Sequence, residues 1–474
     1  MTMHTDNSPF LHWTEHKPDA LLLRSGRHSF RYASCRKAVQ QYVAALEKLP
    51  LEPGDLLGVA LPPSPQYIYL LLAALHLRIV VFPLNPKFPR VYLEERLAAA
   101  GCEHCVTDLE LEGIHRIPHS LFKKEPGLAA LSAELPAENA ATLVLTSGSS
   151  GQPKAAQHSL GNHRHNARLS NRNIALNSGD TWLLSLPLFH IAGLGIFFRC
   201  LEDGATIALP KEDEALEDAI LANGVTHVSL VAAQLQRMLY SESGMAALNK
   251  LKAILLGGGP PPTTLLKRCH DLGLPLFTTY GMTEMATQIT TTRPGAALED
   301  LQTSGWPLDA GSVHIGEGNV IALSSECLFM GYRNTDGLTL PLNGEGRFES
   351  GDLGRVDDAG RLHVLGRQDN MFISGGENVQ PEAIAQCLQE LDDIEFALVV
   401  PIPHDEWGHV PAALICANEM NTDAWTAHVE QQLPRFCRPH HWIPWPEKMD
   451  SNGDIKIKRE EMIAYVQDWI AEQG

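Results

Sequence analysis

The chain has 474 residues, which is enough for two or three domains. Its content of 44% hydrophobic and 20% charged residues is typical of a globular protein and excludes wholesale disorder, collagen and coiled coil. The 37 basic and 56 acidic residues give a net charge of −19, so the surface should repel nucleic acid. An anionic substrate would therefore need a local basic pocket.

Cysteine content and hydropathy bear on the compartment. The nine cysteines are odd in number and widely spread, which does not fit a disulfide framework and indicates a reducing compartment. The first ten residues have no basic region followed by an apolar core, so no secretory signal is predicted. The most apolar run, residues 67–77, is far shorter than the roughly 20 residues of a membrane span. We expect a cytoplasmic protein without a membrane span, and homo-oligomerisation stays open.

Helical and strand patterns alternate through the first part of the chain. Apolar spacing predicts helices over 35–49 and 64–78, and apolar runs ended by prolines predict strands over 56–61 and 79–82. Similar runs predict strands over 142–146, 182–186, 206–209, 227–231, 252–256 and 276–279. Helices between short, nearly continuous apolar strands are typical of α/β layers whose sheets are covered on both faces.

The pattern changes near Gly311, where short strands and Gly, Asn and Asp turns predict a small antiparallel β subdomain. After Asp369 a strand–helix–strand pattern continues to the end. The predicted fold class is therefore α/β: a large N-terminal domain of α/β layers plus a small β subdomain, with a small α+β C-terminal domain. We place the large N-terminal domain at 1–367 and the small C-terminal domain at 368–474.

A Ser/Gly-rich segment follows the predicted strand 142–146. It reads Thr146-Ser147-Gly148-Ser149-Ser150-Gly151-Gln152-Pro153-Lys154. Its glycines free backbone N–H groups, its hydroxyls add donors and its lysine adds a charge, a combination that suits a polyphosphate. It differs from the Walker pattern, because proline precedes the lysine and no Ser or Thr follows it. Taken alone, the segment is equally compatible with a surface loop.

Two further motifs place single functional side chains at strand ends or turns. In 278–284, Tyr280 can lie on a flat base and Glu284 can hold Mg²⁺ at a position where ligands of α/β sheets collect. In 350–354, Asp352 between two glycines can accept two ribose hydroxyls. A strand end with a buried tyrosine and an ordinary turn are the alternatives.

The last two motifs lie toward the C-terminus. Residues 366–370 lead into 373–378, where Gly375 and Gly376 allow close approach of a thin chain such as pantetheine. The alternative is a linker between domains. Residues 452–459 form a basic cluster in an acidic chain, for which the alternative is a solvated face.

In this order, the five motifs resemble those of the adenylate-forming superfamily, which includes acyl- and aryl-CoA synthetases, adenylation domains and luciferases. The phosphate-loop pattern matches at every position, and the resemblance covers essentially the whole chain. It implies that a carboxylate attacks the α-phosphate of ATP to give an acyl-adenylate and pyrophosphate. A mobile C-terminal domain then rotates and a thiol displaces AMP. ATP, Mg²⁺ and coenzyme A are therefore the expected cofactors and co-substrate.

The resemblance also implies roles for individual residues. ATP binding is expected at Thr146, Ser147, Gly148, Ser149, Lys154, Gly258, Tyr280, Gly281, Asp352 and Arg367. Catalysis is expected at Lys456, His190, Glu284 and Thr283, with Glu284 as the metal ligand. The acyl substrate is expected at Arg199, His190 and Gly257, and coenzyme A or the hinge at Asp369, Gly375 and Gly376. Lys458 competes with Lys456, because on a strand the two would point in opposite directions.

Arg199 bears on the identity of the acid. It closes an apolar stretch, where a charge is costly without a partner, so it would suit a second substrate carboxylate through its bidentate fork. The alternative is that Arg199 reaches the surface or pairs with Glu202 or Asp203.

Four segments favour the substrate interpretation of Arg199. Residues 183–199, 280–287, 372–384 and 452–460 resemble the o-succinylbenzoate–CoA ligase family of menaquinone biosynthesis, which implies a small aromatic dicarboxylic acid. The proline run 260–262 departs from that pattern and leaves the acyl-pocket wall open. The alternatives are a CoA synthetase for another acid and an adenylation domain that loads a carrier protein.

Overall fold

The computed structural model describes residues 7–123, 127–146, 153–446 and 459–473. Its helices are α1 (Pro9–His16), α2 (Tyr32–Leu46), α3 (Pro65–Leu77), α4 (Arg90–Ala99), α5 (Leu160–Ile174), α6 (Ile191–Asp203), α7 (Leu216–Asn223), α8 (Ala232–Leu239), α9 (Glu242–Leu248), α10 (Thr263–Asp271), α11 (Leu298–Leu301), α12 (Pro381–Leu388), α13 (Thr422–Gln432) and α14 (Arg459–Gln473). None of the helices in these ranges is long and apolar enough to cross a membrane.

The strands divide among four sheets. They are β1 (Leu21–Ser25), β2 (His28–Arg31), β3 (Leu56–Ala60), β4 (Val80–Pro83), β5 (His104–Thr107), β6 (His115–Ile117), β7 (Ala140–Thr146), β8 (Lys154–Ser159), β9 (Thr181–Leu183), β10 (Thr206–Leu209), β11 (His227–Leu230), β12 (Ala253–Leu256), β13 (Leu276–Met282), β14 (Thr287–Thr291), β15 (Trp306–Pro307), β16 (Val313–Ile315), β17 (Val320–Leu323), β18 (Gly331–Asn334), β19 (Gly337–Thr339), β20 (Phe348–Val356), β21 (Leu362–Arg367), β22 (Phe372–Ser374), β23 (Glu377–Val379), β24 (Ile394–His404), β25 (Gly408–Ala417) and β26 (His441–Pro444).

Two large sheets form the N-terminal part. One has the order β15-β14-β13-β12-β11-β9-β10-β1-β2, and its strands from β13 to β1 run parallel. The other has the order β19-β18-β8-β7-β4-β3-β5-β6, parallel from β7 to β6 and antiparallel from β7 to β19. The parallel strands leave their carboxyl ends at one edge of each sheet, which is where such sheets bind ligands.

The main hydrophobic core lies between these sheets. It combines Val59 and Val144 of one sheet, Trp182 of the other, and side chains of α3 and α6 such as Ile68 and Phe197. The helix α3 is buried on nearly all sides, which is why its sequence is continuously apolar. It begins where Ser64 accepts a hydrogen bond from the Tyr67 N–H with Pro65 in its first turn, a favourable helix start.

The predicted α/β class is confirmed, and the differences lie at element ends. The strand predicted over 276–279 continues to Met282, because β14 supplies an antiparallel partner that extends the ladder through Gly281. The strand predicted over 182–186 stops at Leu183, because the Ser185 hydroxyl turns to donate to the Ser229 carbonyl and Pro187 follows.

Two smaller sheets complete the fold. The predicted antiparallel β subdomain is the sheet β16-β17-β20-β21, which ends at Arg367. A short helical turn, Gln368–Asn370, leads to the sheet of β22 to β26. Helices α12 and α13 cover one side of this last sheet around Trp425, and α14 covers the other around Met462. The predicted strand–helix–strand pattern after Asp369 is therefore present.

Candidate active site

A cavity of about 1130 Å³ opens at the carboxyl ends of β12 and β13, and β20, β21 and α12 close its far side. Ten predicted site residues line it: Thr146, Lys154, Gly258, Tyr280, Gly281, Thr283, Glu284, Asp352, Arg367 and Asp369. Four others, Ser147, Gly148, Ser149 and Lys456, lie outside the described residues, as does Lys458. Motifs that lie more than 200 residues apart thus meet in one space.

Lys154 and Glu284 are linked at one end of this cavity. The hairpin of β7 and β8 sets Thr146 opposite Lys154. The Lys154 ammonium lies 4.9 Å from the centre of the Tyr332 ring, and the Tyr332 hydroxyl donates to Glu284 Oε1 at 2.7 Å. Burial, followed by the nearby Glu284 carboxylate, raises the Tyr332 pKa, so this hydroxyl stays protonated and keeps donating.

Backbone contacts hold the turn that carries Glu284. His158 on β8 donates from Nε2 to the Thr283 carbonyl at 2.7 Å, and the Phe329 N–H donates to the Glu284 carbonyl at 2.8 Å. Burial lowers the pKa of His158 to about 4, so its imidazole is neutral at pH 7. The buried Glu284 carboxylate is thereby fixed in the cavity wall, and its hard oxygens fit a magnesium ion that also binds phosphate.

A second network lies at the opposite side of the cavity. The Tyr280 hydroxyl donates to Asp352 Oδ2 at 2.6 Å, and Arg367 donates to Asp352 Oδ1 at 3.2 Å. Arg367 also makes a bidentate pair with Asp369, with distances of 2.9 and 3.1 Å. The pair with Asp369, more than the neighbouring Asp352, raises the Arg367 pKa. The arrangement holds a carboxylate and a guanidinium at the cavity wall beside an aromatic ring.

The turn between β13 and β14 has a strained backbone. Ala286 and Thr287 have φ values of 53° and 129°, which is unusual for a β-branched residue such as threonine. A Cβ atom at Gly281 would lie 2.0 Å from the Thr287 carbonyl oxygen, so only glycine fits there. Gly281 therefore has a packing role that the motif alone did not indicate.

Arg199 is buried in α6, with 2% of its surface exposed. Its Nη2 donates to Thr287 Oγ1 at 2.7 Å, its guanidinium lies 5.3 Å from the centre of the Trp182 ring, and its buried Nε makes no hydrogen bond among the described residues. Burial lowers its pKa to about 10, so it remains a cation at pH 7.

The two carboxylates considered as partners of Arg199 are engaged elsewhere. Glu202 pairs with Arg164 at 2.9 Å and Arg168 at 2.6 Å, and Asp203 accepts a hydrogen bond from Asn171. No carboxylate lies within ion-pair distance of Arg199 in the part of the chain that the structure describes. The alternative that Arg199 pairs with Glu202 or Asp203 is wrong.

Comparison with known proteins shows which family has this sequence pattern. The sequence profile of the AMP-binding enzyme family matches residues 10–332, about two thirds of the chain. The chain belongs to the AMP-binding enzyme family. Among its relatives is a 2-succinylbenzoate–CoA ligase of Escherichia coli K12, which is 30% identical over 461 residues, 97% of this chain and 98% of that protein.

Solved structures of related enzymes share this fold over most of the chain. The o-succinylbenzoate CoA synthetase (MenE) from Bacillus subtilis in complex with the acyl-adenylate intermediate OSB-AMP has a TM-score of 0.85 and 27% identity, covering 96% of this chain and 98% of that one. The same enzyme in complex with ATP and magnesium ion has a TM-score of 0.82 and 26% identity, covering 93% and 96%. The AMP-binding enzyme fold thus extends over nearly the whole chain.

The cavity lined by Lys154, Glu284 and Asp352, where ATP is expected, is called the nucleotide cavity below. Some predicted residues of this AMP-binding enzyme lie apart from it. His190 precedes the first turn of α6 and is half-buried, and Gly257 follows β12; neither they nor Arg199 line the cavity. Gly375 and Gly376 form the turn between β22 and β23, with φ values of 58° and 88°.

Tyr332 and His158 were not predicted from the sequence, although Tyr332 contacts Glu284 and His158 contacts the Thr283 carbonyl in the turn that carries the expected magnesium ligand. His158 lies on β8 and Tyr332 on β18, and these two strands pair in antiparallel orientation. No motif marks either residue, because their roles follow from strand pairing across 176 residues, as in the Arg333–Gln157 contact.

Proposed function

We propose that this protein is an ATP-dependent acid–thiol ligase that converts o-succinylbenzoate to o-succinylbenzoyl-CoA. It first forms the acyl-adenylate and releases pyrophosphate, and then transfers the acyl group to coenzyme A with release of AMP. Family membership and relatives named as 2-succinylbenzoate–CoA ligases support this activity.

The buried Arg199 is the observation that carries the choice of acid. Among the described residues, this desolvated guanidinium has a hydroxyl and an aromatic ring beside it but no carboxylate; such burial is costly, and an anion would offset that cost. Helical side chains point toward the N-terminus of their helix, and Arg199 Nη2 indeed lies over Gly195, in the direction of His190. We assign Arg199 to the carboxylate that does not react, with His190 and Gly257 nearer the carboxylate that does.

The nucleotide cavity supports the first step. Lys154, Thr146 and the adjoining Ser147, Gly148 and Ser149 are proposed to bind the phosphates, where negative charge develops on pyrophosphate. Bound at Glu284, magnesium would neutralise phosphate charge. We assign Thr283 and Lys456 to the reacting phosphate and carboxylate.

The opposite wall supports nucleoside binding. Asp352 is proposed to accept the ribose hydroxyls, helped by Arg367, and Tyr280 with Gly258 and Gly281 would flank the base. Tyr280 and Arg367 both donate to Asp352, so the carboxylate is oriented before the nucleotide arrives.

The second step requires coenzyme A to reach the adenylate. We place the hinge at Asp369, between a domain of residues 1–367 and a lid of residues 368–474. The pairing of Asp369 with Arg367, and the hydrogen bond from Gln380 to the Arg367 carbonyl, are contacts that rotation at this point would change. Gly375 and Gly376 are proposed to face the pantetheine.

Pyrophosphate release with a panel of acids tests the proposal. With ATP and Mg²⁺, o-succinylbenzoate should be preferred over benzoate and medium-chain acids, and AMP and a thioester should form only when coenzyme A is added. Preference for a monocarboxylic acid would mean that the protein is a CoA synthetase for another acid. Activity with a carrier-protein thiol but not with coenzyme A would make it a loading enzyme.

A further inference from the structure

Three metal-binding side chains meet outside the nucleotide cavity, where α12 packs near α13. Cys387 lies near the end of α12, Glu390 follows that helix, and His428 lies on α13. One donor atom from each lies within 4.8 Å of the other two, and His428 Nε2 is 3.3 Å from Glu390 Oε2. No other set of three His, Cys, Asp or Glu residues comes so close in the ranges that the structure describes.

The donor atoms at this cluster are not committed to other partners. His428 Nε2 is shielded from solvent and makes no hydrogen bond of acceptable geometry, although Glu390 is close. Cys387 is a buried free thiol. The Glu390 side chain is 48% exposed and leaves a route from solvent. A shielded imidazole nitrogen facing a thiol and a carboxylate is an arrangement that a cation would satisfy.

We propose that Cys387, Glu390 and His428 form a Zn²⁺ site. A thiolate, an imidazole and a carboxylate are ligands of zinc, whereas Mg²⁺ and Ca²⁺ prefer oxygen alone. Bond lengths of about 2.0–2.3 Å in a tetrahedron separate neighbouring ligand atoms by about 3.3–3.8 Å. The 3.3 Å between His428 Nε2 and Glu390 Oε2 lies at the lower end of this range, and the three donor atoms all lie within 4.8 Å of one another. Water completes the coordination.

The ion would tie α12 to α13. Helix α12 has two uses in this arrangement, because Glu382 and Gln386 line the nucleotide cavity while Cys387 belongs to the cluster. Zinc at the cluster therefore fixes the position of a helix that forms part of the cavity wall. The three ligands take no part in the proposed ligase reaction. The zinc proposal can therefore be tested, and can fail, independently of the proposed function.

Cobalt substitution tests the site in the full-length protein. After treatment with a chelator, Co²⁺ should give one equivalent of a thiolate-to-cobalt charge-transfer absorption, and Zn²⁺ should remove it. Cys387→Ser should abolish the band. Cys416→Ser is the matched control, since Cys416 is a more exposed cysteine in the same region and lies outside the cluster. Absence of the band in the unmodified protein, or its equal loss in the control variant, would overturn the proposal.

A second variant covers the case in which Cys387→Ser does not fold. His428→Gln keeps the buried thiol and changes a partly exposed side chain. Its circular dichroism should be unchanged, while its Zn²⁺ affinity, measured by competition with a chromophoric chelator, should fall by at least about 100-fold, beyond the effect of losing an outer-shell partner. Unchanged affinity would exclude His428 as a ligand and with it the site.

Discussion

Replacing Arg199 by methionine should separate what the buried charge costs the fold from what it does for the substrate. Removing one member of a buried charge pair costs about 3–5 kcal/mol, and each 1.4 kcal/mol is about tenfold. Arg199→Met should therefore lower kcat/KM for o-succinylbenzoate by two to three orders of magnitude or slightly more. Methionine fills a similar volume, so the pocket itself should persist.

The effect on stability should have the opposite sign. Burial lowers the Arg199 pKa from 12.5 to about 10, so the unfolded chain holds this proton more tightly than the folded one. The charge therefore destabilises the substrate-free fold by on the order of 3 kcal/mol at every pH below about 10, and this cost disappears as the pH rises past the unfolded value. Without substrate, Arg199→Met should melt at or above the temperature of the unmodified protein.

Two assays and one further variant test whether Arg199 acts on the substrate or on the fold. Pyrophosphate release measures activity, and thermal unfolding with and without ATP measures stability and nucleotide binding. ATP stabilisation should be unchanged, because Arg199 does not line the nucleotide cavity. Arg199→Lys, which keeps the charge but loses the fork, should show intermediate activity. Equal losses for diacids and monoacids, or a large fall in melting temperature, would refute the reasoning and make Arg199 structural.

Three further changes test other parts of the site. Tyr332→Phe removes the donor to Glu284 while keeping the ring beside Lys154, so kcat/KM should fall by about 10- to 100-fold and the Mg²⁺ dependence should shift; an unchanged magnesium titration would contradict this. Asp369→Pro fixes φ at the proposed hinge and should slow thioester formation more than adenylation, whereas a variant that loses adenylation first would argue against the hinge. Lys456→Ala should lower adenylation by about 100-fold or more and spare the reaction of a supplied acyl-adenylate with coenzyme A; a larger effect from the Lys458→Ala control would reassign the role.

The parts of the site that short motifs encode could be predicted from the sequence. Tyr280 and Glu284 lie within a few residues of each other at the end of β13, and Asp352 and Arg367 face each other on paired strands. Each motif combines residue types that suit one part of a nucleotide, so their order along the chain was informative. The α/β layers were predictable for a similar reason, because a strand buried on both faces has a continuously apolar sequence.

Features that depend on distant pairing could not be predicted in this way. The roles of Tyr332 and His158 arise only when β8 and β18 come together. Whether Arg199 has a carboxylate partner depended on which residues Glu202 contacts. Nothing in the local sequence showed that Glu202 would pair with Arg164 and Arg168. The proposed zinc ligands likewise come from two helices and the residues after one of them, separated by more than thirty residues.

The strained turn between β13 and β14 connects the two halves of the site within seven residues. Gly281, near the end of β13, borders the nucleotide cavity, and Thr287, the first residue of β14, accepts a hydrogen bond from Arg199. Because Gly281 has no Cβ, its backbone packs directly against the Thr287 carbonyl, where a Cβ would lie 2.0 Å from the oxygen. With the acid at Arg199, as proposed above, the binding of acid and ATP would be linked through this contact, and each would change the affinity for the other by the same factor. Selectivity for the acid would then be measured partly as a change in the affinity for the nucleotide.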